Sequence, residues 1–69
     1  MRADLSSAPM LLRPTEAAKA LGVHPQSLAN WRAAGRGPKW CKLGVAVRYS
    51  VTALEEFIAE NTKTPAAGR

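Results

Sequence analysis

Gln26 and Asn30 carry side-chain amides four positions apart, with Ser27 between them. On a helix that spacing stacks the two amides on one face. A planar amide offers an acceptor beside a donor, the arrangement that matches adenine in the major groove, at about 1–3 kcal/mol of discrimination per good bidentate pair. Ser27 suits either a base edge or a phosphate. Ala33 completes an outward face of small and amide side chains, whereas a solvated face usually carries Lys and Glu. The alternative is a solvent-facing helix with no reading role.

Basic side chains surround this face. From Ala17 to Leu54 the chain holds six Lys/Arg and no Asp or Glu, and the whole sequence carries +5. A basic small domain favours polyanions such as nucleic acid. Arg36, Lys39, Lys42 and Arg48 read as phosphate or minor-groove contacts, or as ordinary solubilising charge. Arg13 and Arg32 are placed to clamp a backbone at the ends of the first two helices; Arg32 has the alternative of packing its stem on the core. Catalysis has no comparable support. His24, the sole histidine, has no nucleophile or carboxylate near it in sequence. Cys41 is the sole cysteine, which excludes an internal disulfide, and reads as a small apolar strand residue. No Cys/His cluster has metal-ligand spacing. The expectation is therefore a non-enzymatic protein with no cofactor and no metal. Trp31, three residues from Leu28, reads as core, and Trp40 as a hairpin residue covering that core rather than a stacking platform for bases.

The elements that must hold these residues follow from local signals. Sixty-nine residues allow one small domain with a limited core. Residues 1–10 read as a flexible arm, 11–61 as the folded unit and 62–69 as a frayed tail. The first helix should span Pro14 to Leu21, weakly capped because Arg13 stands where Ser or Thr is expected. Gly22 ends it and Val23 turns back to the core. The second helix should span Pro25 to Ala34, with Gly35 as its stop. Two short helices around a glycine turn suit a helix-turn-helix. Trp40–Leu43 and Val45–Tyr49 read as two short strands. The third helix should run from Val51 to Asn61, capped by Ser50 or by a competing Thr52–Glu55 box, with Leu54, Phe57 and Ile58 inward and Glu55, Glu56 and Glu60 outward. The fold class is thus mostly α with a small β-hairpin: three helices plus a two-stranded wing. No apolar run approaches the ~20 residues of a membrane span, and the N-terminus is too polar for a secretory signal, so the expectation is a cytoplasmic protein.

In order and spacing, Glu16-Ala17-Ala18, Leu21-Gly22-Val23, Trp31, Gly35-Arg36-Gly37-Pro38, Lys42-Leu43-Gly44, Val47-Arg48-Tyr49 and Leu54-Glu55 with Phe57-Ile58 resemble the winged helix-turn-helix domain of phage excisionases and related MerR-like and AlpA-type small regulators. The resemblance covers Leu11 to Ile58. It implies that the second helix reads the major groove through Gln26, Ser27 and Asn30. The hairpin would be a wing near the minor groove, with Lys42 and Arg48 on it. The implied role is an excisionase (recombination directionality factor) that binds attachment-site DNA cooperatively, bends it and directs a phage integrase toward excision in the bacterial nucleoid. Its partners would be double-stranded DNA, further copies of itself and the integrase, with no membrane and no small-molecule substrate. The alternative on the same fold is a small prophage transcriptional regulator. An adaptor or antitoxin is disfavoured by the +5 charge and the acids gathered on the third helix. Two places depart from the family pattern. Val45 and Ala46 stand where two basic residues often follow the wing glycine, and His24-Pro25 stand where Ser then Arg is frequent.

Overall fold

The computed structural model describes residues 10–63; the expected arm up to residue 9 and the tail from residue 64 lie outside the described residues. The element order is β1 (Leu11–Leu12), α1 (Pro14–Leu21), α2 (Pro25–Ala33), β2 (Cys41–Leu43), β3 (Ala46–Ser50) and α3 (Val51–Asn61). Three helices and an antiparallel hairpin agree with the expected winged helix-turn-helix class. The sheet differs in one respect. It has three strands in the order β1-β3-β2, because Leu11 pairs with Ser50 and Leu12 with Tyr49 on the free edge of β3. A two-residue strand is too short to carry a period, so it had no local signature. Met10 extends the join, its carbonyl accepting the Val51 N–H at 3.0 Å.

The helix starts show why each element begins where it does. Pro14 and Pro25 occupy first-turn positions, where a missing N–H costs nothing. Glu16 supplies the reciprocal half of a capping box: its Oε1 accepts the N–H of the N-cap residue Arg13 at 2.8 Å. Ser50 is at once the last residue of β3 and the N-cap of α3, its Oγ accepting the Ala53 N–H at 2.9 Å. Ser50, not the Thr52–Glu55 box, therefore caps this helix. The direct join also fixes the rotation of α3. Ala53, Leu54 and half-buried Phe57 face the core, while Ile58 is 50% exposed. The expected Leu54/Phe57/Ile58 stripe is thus displaced toward Ala53.

Ala17, Ala18, Leu28, Tyr49 and Leu54 form the core, and Leu12, Leu21, Val23, Trp31 and Val47 pack against it. Two alanines at the centre let α1 lie close to both α2 and β3. Trp31 packs on Phe57 with ring centroids 5.7 Å apart, tying α2 to α3.

Candidate nucleic-acid interface

The turn between α1 and α2 occupies Gly22, Val23 and His24. Gly22 takes a left-handed φ of 72°. Its N–H reaches the Lys19 carbonyl at 3.1 Å and the next N–H, of Val23, reaches back to Ala18 at 3.0 Å. That pair of bonds satisfies carbonyls the helix end would orphan, and it drives the Val23 side chain into the core. His24 then caps α2: its Nδ1 accepts the Gln26 N–H at 3.0 Å, and its carbonyl accepts from Ser27 and Leu28. This ring nitrogen is structural, and the position before an N1 proline was the sequence signal for it. The far end of α2 closes with the same pair of bonds as α1, Gly35 to Arg32 and Arg36 to Trp31.

On the α2 surface so framed, Gln26, Asn30 and Ala33 are exposed. Gln26 Nε2 donates to Asn30 Oδ1 at 3.0 Å. The bond leaves Gln26 its Oε1 and a second N–H, and leaves Asn30 both of its N–H groups. A donor and an acceptor thus stand side by side, facing solvent. Ser27 is half-buried, not fully outward as expected. At 3.6 residues per turn it lies about 100° from Gln26 around the axis, whereas Asn30 lies about 40° away.

The basic residues divide. Arg13, Arg36, Lys39 and Lys42 are exposed. Arg48 is half-buried, with Nη1 donating to the Val47 carbonyl at 2.7 Å. The register sets Cys41 opposite Arg48 and Lys42 opposite Val47. Cross-strand partners share a face and successive residues alternate. Lys42 and Arg48 therefore leave opposite faces of the hairpin. Beyond them, Leu43 is 52% and Val45 99% exposed at the tip. Arg32 points inward: Nη1 donates to the Tyr49 hydroxyl at 2.9 Å, and the guanidinium carbon lies 5.7 Å from the centre of the Trp40 ring. Tyr49 is fully buried. Releasing Arg32 to a phosphate would orphan that hydroxyl at a cost of about 1–3 kcal/mol. Of the two readings of Arg32, packing against the core is the one this geometry favours over clamping a DNA backbone.

A family model described as a helix-turn-helix domain (HTH_17) matches residues 11–62. The chain belongs to the helix-turn-helix domain family. That family includes excisionase- and AlpA-type DNA-binding proteins and is typically non-enzymatic. No curated protein matches the chain. A helix-turn-helix domain has DNA as its partner, and among the described residues no helix is long and apolar enough to cross a membrane.

The sequence, through spacing alone, set Gln26, Asn30 and Ala33 on one outward face of the second helix, and all three are exposed on α2. It missed the tie between Arg32 and the hairpin, because Tyr49 lies 17 residues away. One signal was present. Arg32 is four residues after Leu28, hence about 40° from it on the buried side of the helix-turn-helix. Cys41 is a strand residue as expected, but a free and exposed one. Trp40 just precedes β2 and is 41% exposed, covering Arg32 with its ring.

Proposed function

We propose that this chain is a sequence-specific double-stranded DNA-binding accessory protein, and specifically an excisionase. α2 enters the major groove with Gln26 and Asn30 toward base edges, Ser27 and Ala33 at the margins of the contact. Arg13, Arg36, Lys39 and Lys42 face phosphates, with Arg48 the alternative wing contact on the opposite face of the hairpin. The observation that carries this reading is the solvent-facing amide pair of Gln26 and Asn30, bonded at 3.0 Å on the second helix of a helix-turn-helix domain. Two amides held by one another lose less freedom when they meet a base edge than two free ones.

The reach of this surface argues for partners. α2 has nine residues, about 13 Å at 1.5 Å per residue, or about four base pairs at 3.4 Å each. One such helix reads too little sequence to select a site by itself. Copies bound to adjacent sites raise one another's effective concentration and supply what a single copy lacks. Several copies along one duplex would bend it, at a cost of order 1–6 kcal/mol for a short site, and so bring integrase-bound arms together.

Selection of bound duplexes from a random library tests the first step, and an excision assay with an integrase of the same element, with and without this chain, tests the second. An enriched motif and a higher excision yield are expected. Failure to enrich any motif sinks the DNA-reading role. An enriched motif without any effect on excision assigns the chain to transcriptional regulation.

A further inference from the structure

We infer that Arg32 is a positioning residue that sets the angle between the reading helix and the wing. This rests on the reading of α2 and the hairpin as the two parts that meet DNA. α2 packs on α1, and β3 packs on α1 and α3, while α2 and the hairpin share little direct packing. Across the gap between them the supports are the cluster that holds Leu28 with Tyr49, the helix α1 that packs on both, and the connecting residues 34–40. Arg32 spans that gap twice. From the last turn of α2, its Nη1 bonds the Tyr49 hydroxyl on β3 at 2.9 Å, and its guanidinium covers the ring of Trp40, the residue before β2. One side chain thus grips the approaches to both strands of the wing.

The chemistry of each partner suits a strut. The guanidinium is planar and broad, so one N–H donates to Tyr49 while its delocalised charge lies over the Trp40 ring; an ammonium is a compact point charge without that fixed fork. Tyr49 is fully buried at the centre of the three-stranded sheet, so the anchoring hydroxyl belongs to the close-packed core and does not yield. A helix and a wing already at the right angle engage a duplex without a further ordering cost. Loosening the strut weakens binding to the specific site while every DNA-facing group stays in place.

Tyr49→Phe removes the hydroxyl alone, Arg32→Lys keeps charge without the planar fork, and Arg32→Met removes the charge. Amide residual dipolar couplings of the free proteins read the angle. One alignment tensor should fit α2 and the hairpin together in the wild type, and two should be needed in Tyr49→Phe and Arg32→Lys. Salt titrations of binding to the selected duplex read the role on DNA. Affinity should fall about ten- to a hundredfold in all three variants, as expected for one lost hydrogen bond to a charged group, with the salt slope of the wild type retained. A single tensor in all variants overturns the inference. So does a slope lowered by about one in Arg32→Met with wild-type binding by Tyr49→Phe, the behaviour of a phosphate ligand. A wild type that binds no duplex would remove the DNA reading, and the couplings would still decide the strut.

Discussion

On α2 the amides of Gln26 and Asn30 lie 3.0 Å apart on one exposed face; on the hairpin Lys42 and Arg48 leave opposite faces, and the tip between them is Val45. The helix concentrates directional groups where they act as one unit. The hairpin spreads charge around an apolar end. Directional groups pay off in discrimination between sequences, and spread charge acts on any duplex in proportion to the phosphates it neutralises. The two regions are therefore expected to fail differently when altered, although both hang on the same few core residues.

The largest effect comes from removing what they share. Leu28 is the one fully buried large side chain of α2 and sits in the same cluster as Tyr49 of the hairpin strand. Leu28→Ala should cost about 2–5 kcal/mol, a large part of the stability of so small a domain. Urea unfolding followed by helix circular dichroism and by hairpin amide signals should show one coincident transition at lower denaturant. Two separate transitions would show that helix and wing are independent. Gly37→Ala strikes the connection between them. Gly37 has φ 83°, and an added Cβ would stand 3.0 Å from Trp31 Cβ, on a side chain that is itself wedged against Phe57. A loss of about 1–3 kcal/mol is expected from the strained backbone, read as a lowered Tm. An unchanged Tm would mean that residues 34–40 shift freely and that the linker places no restraint on the wing.

Most of the helical part was legible in the sequence, because its limits rest on residues with few alternatives: Pro14 and Pro25 at first turns, and Gly22 after α1. What was illegible depends on partners distant in the chain. β1 exists only because β3 has a free edge for Leu11 and Leu12. The exposure of Ile58 follows from the rotation that the Ser50 join imposes on α3. The candidate site divides along the same line. Gln26 and Asn30 were found by spacing within one helix. The tie from Arg32 to Tyr49 and the opposed faces of Lys42 and Arg48 required the hairpin register, which alternation in Trp40–Tyr49 left undecided.

Single substitutions on the two surfaces should separate sequence reading from charge. Asn30→Ala should lose about 1–3 kcal/mol of preference for the selected duplex over a scrambled one, with little change in Tm because the side chain is exposed. Equal loss on both duplexes would remove the case for base reading. Lys42→Ala should do the reverse. Affinity for both duplexes should fall together, and the slope of log affinity against log salt should drop by about one. Lys42 is the exposed member of the hairpin pair, while the Arg48 guanidinium is already engaged by the Val47 carbonyl. An unchanged slope in Lys42→Ala with a reduced one in Arg48→Ala would turn the hairpin over and present its other face to the duplex.

The smallest effect on the single molecule belongs to the wing tip. Val45 is 99% exposed and closes a two-residue loop between Leu43 and Ala46. Val45→Ser should therefore change stability by no more than about 0.5 kcal/mol, and binding to one isolated site should match the wild type. On tandem sites the outcome should differ. If Val45 and Leu43 form the apolar contact between neighbouring copies, the gain in affinity per site on tandem over single duplexes shrinks in the variant, as the second binding event loses its added contact. Electrophoretic titration of duplexes carrying one, two and three sites measures that gain directly. A variant with the full wild-type gain would place the contact between copies elsewhere on the domain and leave the apolar tip as a surface that meets the duplex alone.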